Sequence, residues 1–195
     1  MTTPHTKALR GLLATAAAAG LVAALGSGSP ASADAGAGAA PTTTPPGATI
    51  SMRGSAKSPP RFTGSTTIAT GQVLRIRNLA NPRTIGPHTL TLVSAAVVPR
   101  TRKAQKDCFT PGKICLIGAT AHEFNPRTEK IGKQLVEAGQ PGWDKRFTKT
   151  VKGDSWYTET WRETFEQVVS AKAGTNLKYI CLVHPEMQGT LKVTG

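Results

Sequence analysis

A thiol, an imidazole and a thioether lie within seven consecutive positions near the C-terminus of this 195-residue chain. They belong to Cys181, His184 and Met187, and alternating polar and apolar residues precede and follow them. If residues 177–181 form a strand, Cys181 ends it, and a turn through Pro185 folds the other two side chains back toward the sulfur. The fold must then supply a strand, a tight loop and a returning strand, and it must hold three metal donors at one point.

A histidine far upstream completes a metal-ligand set. His88 precedes a short run in which Leu90 and Leu92 alternate with threonine, as in a strand. One thiolate, two imidazoles and a weak thioether are the ligands of a mononuclear copper centre for electron transfer. The pattern predicts one copper site; its alternative is a buried free thiol with an unrelated loop histidine and a core methionine. The candidate ligands are His88, Cys181, His184 and Met187.

The first 33 residues have the organisation of a secretory signal peptide. Two cations precede an apolar run at residues 12–25, and small residues end the segment at Ala33. This pattern predicts Sec-type export with cleavage before Asp34, because no twin arginine precedes the run. The run is short for a membrane span, so we expect a secreted, extracytoplasmic protein without one.

The remaining sequence predicts one all-β domain behind a flexible linker. Residues 34–47 carry almost no apolar bulk and form the predicted linker, whereas residues 48–195 are long enough for one domain with a core. Short alternating stretches bounded by Gly, Pro and Asn predict a β meander in the N-terminal half and an antiparallel sandwich overall. The predicted strands lie around residues 50–52, 66–70, 72–78, 89–93, 164–169, 177–181 and 189–193.

Residues 95–161 differ in character and predict a partly helical insertion. The segment is rich in lysine and arginine, and the spacing of Ile131, Leu135 and Val136 predicts a helix over residues 128–138. Its aromatic residues are expected to pack the insertion onto the sandwich rather than to form a ligand platform. They are Trp143, Trp156 and Trp161.

Two of the three cysteines lie within the insertion. The turn residues Pro111 and Gly112 separate Cys108 from Cys115, which favours a local disulfide that contributes about 2–3 kcal/mol by loop entropy. That pairing would leave Cys181 for a metal. The alternative is a metal site at the two cysteines, although their spacing is wider than in a zinc knuckle and no histidine follows at finger spacing.

One further histidine lies in the insertion. His122 and Glu123 could form a second metal site, but we expect an isolated surface histidine instead.

Two motifs resemble the cupredoxins, the type 1 blue-copper family. Cys-x-x-His-Pro-x-Met-x-Gly followed by Thr-Leu-Lys-Val resembles their last loop and strand, with a spacing most like amicyanin. Gly-Pro-His-Thr-Leu-Thr-Leu resembles the segment that supplies the first histidine in plastocyanin and amicyanin. The resemblance covers about residues 48–94 and 164–195. It implies a cupredoxin-like Greek-key β-sandwich in which the same four side chains bind copper; the insertion has no counterpart in a minimal member.

One position departs from the family pattern. Small cupredoxins commonly place Asn after the first histidine, and its hydrogen bonds steady the cysteine loop. Thr89 occupies that position here, and its hydroxyl is a candidate replacement.

The charge balance indicates a kind of partner. The net charge of +13 falls to +11 without the leader cations Lys7 and Arg10, which favours a redox donor or acceptor with an acidic docking face. Simple solubility is the alternative explanation. No nucleic-acid-binding module is recognisable, so nucleic acid is not an expected partner.

The small number of histidines argues against catalysis. Three of the four histidines remain after leader removal, too few for a second, catalytic copper centre. We therefore expect a monomeric, non-enzymatic one-electron carrier and leave envelope association open. The alternatives are a copper storage, delivery or tolerance protein and a non-copper adhesion or envelope module.

Overall fold

The computed structural model describes residues 47–195, which form two β-sheets and three short α-helices. The predicted signal peptide, and the predicted linker except for Gly47, lie outside the described residues. Within residues 47–195, no helix is long and apolar enough to cross a membrane. The strands are β1 (Ala48–Ser55), β2 (Ser58–Gly64), β3 (Thr67–Ala69), β4 (Val73–Asn78), β5 (His88–Val93), β6 (Leu135–Val136), β7 (Ser155–Thr158), β8 (Thr164–Val168), β9 (Asn176–Ile180) and β10 (Gln188–Thr194).

The strands are arranged in a four-stranded and a six-stranded sheet. The first has the order β2-β1-β4-β8 and the second the order β3-β10-β9-β5-β7-β6. Most neighbours are antiparallel, but β1 and β4 are parallel, as are β3 and β10. The predicted N-terminal meander is wrong because consecutive strands β3 and β4 belong to different sheets. Turn residues such as Gly71 mark where a strand stops, but not which sheet the next strand joins.

The two sheets pack face to face over one hydrophobic core. Alternation along β1 and β4 turns Ile50 and Ile76 inward, where both are buried. Edge-on and stacked aromatic pairs join the two sheets, with ring centroids 5.0 Å apart for Phe62 and Tyr179 and 5.4 Å apart for Trp156 and Phe165. The predicted all-β sandwich is thereby confirmed.

Strand β2 was not predicted from the sequence. It contains two consecutive prolines, Pro59 and Pro60, which disfavour a strand interior. Here β2 is the edge strand of its sheet and pairs only with β1. One proline can face the free side of the edge, and the β1–β2 register shifts between Arg53 and Ser55, opposite the prolines, so the missing N–H groups do not interrupt a regular ladder.

The insertion is partly helical, as predicted, but its helices lie elsewhere. They are α2 (Arg102–Lys106) and α3 (Ile114–Ala121), whereas α1 (Pro82–Ile85) lies before β5. The predicted helix over residues 128–138 is wrong, since β6 forms there and pairs with β7. Leu135 is exposed and Val136 is buried, which is the alternation of a strand. Three apolar residues are too few to distinguish the helical repeat from the strand repeat.

The predicted disulfide between Cys108 and Cys115 is confirmed. It joins a 3₁₀ turn (Asp107–Phe109) to α3, with the two Cα atoms 5.1 Å apart. Both half-cystines are buried in a second hydrophobic cluster that includes Phe147 and Leu182. The insertion therefore packs directly behind the residue that follows Cys181.

Two of the three tryptophans anchor the insertion. Trp143 and Trp156 are buried in the main core, as expected. Trp161 is 51% exposed, so the packing role predicted for it is wrong. Because β7 also joins β5 in the six-stranded sheet, the insertion is part of the sandwich rather than an appendage.

Candidate metal site

The predicted site residues lie at one end of the six-stranded sheet. His88 is the first residue of β5, and Cys181 directly follows β9. Because β5 and β9 are antiparallel neighbours, the start of one and the end of the other lie side by side. Met187 directly precedes β10, which brings the end of the loop back to the same place.

Backbone hydrogen bonds close the loop between β9 and β10. The Cys181 N–H donates to the Met187 carbonyl at 3.0 Å, and the Met187 N–H donates to the His184 carbonyl at 2.8 Å. The Gln188 side chain donates to the Pro185 carbonyl at 2.7 Å. The loop thus has a fixed shape that depends on its own backbone.

The structure brings three of the four predicted ligands together. Cys181 Sγ lies 3.9 Å from His88 Nδ1 and 3.7 Å from His184 Nδ1. The donor atoms of these three residues all lie within 4.8 Å of one another. His88 and Cys181 are fully buried and His184 is half-buried, so the cluster faces outward only at His184.

The fourth residue is buried beside them. Met187 is 1% exposed and belongs to the same core cluster as Cys181. A thioether there packs in the core next to the sulfur of Cys181 and is available as a weak metal donor.

These separations fit a metal ion. With bonds to sulfur and nitrogen of about 2.3 and 2.0 Å and a trigonal angle of about 120°, sulfur and nitrogen lie about 3.7 Å apart. Both observed sulfur–nitrogen distances agree with this value. A soft thiolate with two imidazoles suits copper.

Thr89 supports the cysteine from β5. Its N–H donates to Cys181 Sγ at 3.3 Å, and its hydroxyl accepts from the Leu182 N–H at 2.7 Å. The hydroxyl therefore holds the backbone directly after the cysteine, which is the substitution for Asn that the sequence suggested. Such bonds orient a ligand and tune its basicity.

Burial controls the protonation of the cluster. It lowers the pKa of His88 to about 4, with the neighbouring His184 as a second cause. It also lowers the pKa of His184 and raises the pKa of the Cys181 thiol, the latter against hydrogen bonds from Thr89. Both imidazoles are thus ready as neutral donors, and the thiol releases its proton when a metal binds.

His122 does not lie on the surface, so that prediction is wrong. It is 1% exposed at the end of α3, with Nδ1 2.7 Å from the Lys133 carbonyl and Nε2 2.7 Å from Ser155 Oγ. The neighbouring Glu123 forms an ion pair with Lys133 instead of sharing a metal. The sequence held no signal for this burial, because the covering residues come from β7 and from the segment before β6.

Comparison with known proteins gives matches to solved structures alone. No protein-family model matches the sequence, and no curated protein matches it at a significant level. The structure is similar to auracyanin of Roseiflexus castenholzii (14% identity, 75% of this chain and 95% of that chain, TM-score 0.37). It is also similar to auracyanin A of Chloroflexus aurantiacus, described as a blue copper protein (20% identity, 75% and 98%, TM-score 0.37), and to auracyanin B (15% identity, 75% and 88%, TM-score 0.37).

The two-sheet sandwich and the His–Cys–His cluster that the resemblance to cupredoxins implied are both present in the structure. The narrower likeness to amicyanin and plastocyanin stays a prediction. At these identities and TM-scores, the neighbours carry no argument about function, which has to come from the geometry of this chain's own residues.

Proposed function

We propose that this protein holds one type 1 copper ion and acts as a one-electron carrier rather than an enzyme. His88, Cys181 and His184 would hold the ion, and the Met187 thioether would be its weakest donor. The observation that carries the proposal is the cluster of one sulfur and two Nδ1 atoms, in which both sulfur–nitrogen distances match a trigonal metal site. Copper bound there would supply a one-electron couple between Cu(I) and Cu(II).

The framework holds the ligands in one arrangement. His88 is fixed in the strand ladder by its pairing with Thr158 of β7, and Cys181 is held by the Thr89 N–H and the Met187 carbonyl. Ligands positioned by a sheet and a closed loop keep their places when the charge of the ion changes. Little rearrangement is the property that rapid electron exchange needs.

The exposed side of the cluster indicates where electrons would leave. His184 is half-buried; the partly exposed Pro185 follows it in the chain, and the partly exposed Pro87 precedes His88 at the same end of the sheet. We infer that this apolar rim is the docking patch. The net charge of +11 without the leader favours a redox partner with an acidic face.

Export is part of the proposal. It is supported by the leader pattern at residues 1–33 and the linker composition at residues 34–47. The Cys108–Cys115 disulfide also suits an oxidising compartment. Residues 48–195, with the insertion at about 95–161, would then be the mature domain.

Loading the protein with Cu(II) tests the proposal. We expect one copper per chain, an intense thiolate-to-copper absorption band, and reversible bleaching by a mild reductant. The Cys181→Ser variant should lose the band because a hydroxyl is a hard, poor substitute for the thiolate. The other two cysteines form a disulfide, so they supply no competing thiol.

Three other outcomes would contradict the proposal. A full band in Cys181→Ser would refute the ligand assignment, and absence of stoichiometric copper would refute the metal. Tight Cu(I) binding followed by transfer to a chelator, without rapid electron exchange, would favour storage or delivery instead.

A further inference from the structure

A continuous row of buried polar side chains connects the insertion to the cysteine loop. It begins at His122, whose Nε2 lies 2.7 Å from Ser155 Oγ. The Ser155 and Thr91 hydroxyl oxygens are 2.6 Å apart, and the Thr91 and Thr89 hydroxyl oxygens are 3.1 Å apart. Every step is within hydrogen-bond distance.

All four members of the row are shielded from solvent. Ser155 and Thr91 are 0% exposed, and Thr89 and His122 are 1% exposed. A buried hydroxyl that loses its partner has no water to replace it, so its desolvation is left uncompensated. Each member is therefore held by its neighbours, and hydrogen bonds in such a chain polarise one another.

The row ends at the proposed copper ligand. Thr89 Oγ1 lies 3.1 Å from the Thr91 hydroxyl oxygen and accepts from the Leu182 N–H, and the Thr89 N–H donates to Cys181 Sγ. The hydroxyl that receives the row is thus the one that holds the backbone next to the sulfur. A change in its orientation reaches the thiolate through a single peptide unit.

The other end of the row is fixed within the insertion. His122 caps the C-terminus of α3, and its Nδ1–H donates to the Lys133 carbonyl at 2.7 Å. That carbonyl precedes β6, so His122 joins α3 to the β6 segment and to Ser155 on β7. The Tyr157 ring lies beside it, with centroids 6.2 Å apart.

We propose that His122 is a positioning residue that sets the environment of the Cys181 sulfur through Ser155, Thr91 and Thr89. The insertion would thereby tune the metal centre without contacting a ligand. The effect on a bound ion rests on the proposed function, whereas the effect on the loop does not. Hydrogen bonds around a ligand that change its orientation and basicity alter the properties of the metal.

Variants that break the middle of the row test this proposal. Ser155→Ala and Thr91→Val each remove one hydroxyl with little change in volume, and both are read out in metal-free and copper-loaded protein. In metal-free protein, we expect the Leu182 amide resonance to shift and its hydrogen exchange to accelerate. In copper-loaded protein, we expect both variants to move the midpoint potential in the same direction.

The double variant distinguishes a connected row from two separate packing defects. If the hydroxyls act in series, Ser155→Ala combined with Thr91→Val shifts the Leu182 resonance no further than the larger single variant. Additive shifts would overturn the proposal. Thr70→Val is the matched control because its hydroxyl donates to the Ala171 carbonyl at the opposite end of the sandwich; it should leave Leu182 and the potential unchanged.

A pair of amide substitutions isolates the histidine. His122→Gln places an amide near the position of Nε2 and can keep the contact with Ser155, whereas His122→Asn places one near Nδ1 and can keep only the Lys133 contact. We expect Gln to preserve the Leu182 resonance and the potential, and Asn to shift both as Ser155→Ala does. Equal effects of the two substitutions would reduce His122 to a packing role and overturn the proposal.

Failure of the copper proposal would look different. If the unmodified protein binds no copper, the midpoint potentials cannot be measured. The Leu182 resonance of the metal-free protein still shows whether changes at Ser155 and Thr91 reach the loop after Cys181. If copper binds normally while the variants leave the Leu182 resonance and the midpoint potential unchanged, the proposed role of the row is wrong and the copper proposal stands.

Discussion

Single residues decide how the sulfur is presented. Thr89 uses its N–H for Cys181 and its hydroxyl for the Leu182 N–H, so one side chain serves both the ligand and the backbone after it. A valine there would keep the volume but leave the Leu182 N–H buried without this acceptor. The hydroxyl is therefore the chemically important part of that residue.

Met187 is the residue whose role is best measured by substitution. We expect Met187→Leu to retain copper, because the His–Cys–His set remains, and to raise the midpoint potential, because a weak axial donor is lost. Voltammetry of the copper-loaded variant checks this. Met52→Leu is the control, since Met52 is equally buried but lies on β1 in the other sheet; if both variants shift the potential alike, Met187 is not axial.

At the scale of elements, α3 packs against the cysteine loop through a glycine. A side chain at Gly118 would meet the Leu182 side chain, because a Cβ built there lies 2.6 and 2.8 Å from its two δ-carbons. Leu182 is 2% exposed and has little room to move. The close approach of helix and loop therefore depends on the missing side chain.

Gly118→Val should destabilise the protein by about 1–3 kcal/mol through overpacking. It should also shift the copper absorption band, because the clash displaces the residue next to Cys181. Urea unfolding and absorption spectroscopy measure the two effects. Thr120→Val places the same side chain on an exposed position of α3 and should leave the spectrum unchanged; an equal shift there would mean that α3 does not act through Leu182.

At the scale of the whole molecule, the free energy of unfolding should depend on pH through His122, which lies where the insertion packs against the six-stranded sheet. Burial lowers the pKa of His122 below its usual value of 6.5. As the pH falls below about 6.5, the unfolded chain takes up a proton that the folded chain resists, so the free energy of unfolding decreases. Above that pH, both states are neutral at this residue and the dependence ends.

Urea unfolding of the metal-free protein between pH 7 and pH 5 measures this effect. The comparison with His122→Gln, which cannot titrate, removes the contribution of the other ionisable groups. We expect the unmodified protein to lose more stability than the variant over this range. Parallel losses would show that His122 accepts a proton as easily in the folded state as in the unfolded state.

The candidate ligands could be identified from the sequence because their signal is local. Cys181, His184 and Met187 lie in one short segment, and Leu90 and Leu92 identify the strand that His88 begins. Helix and strand periods could not be separated at Leu135 and Val136, because β6 is only two residues long. Its conformation depends on pairing with β7, which no local pattern encodes.

The sequence by itself determined the donor types, the alternating strands and the local disulfide, since each depends on residues close together along the chain. The tertiary structure alone decided that β3 and β4 enter different sheets, that β7 joins β5, and that His122 is buried behind Ser155. These features depend on contacts between distant segments. Such contacts form because the apolar faces of whole strands and helices are buried together, and the spacing of neighbouring residues does not encode which faces meet.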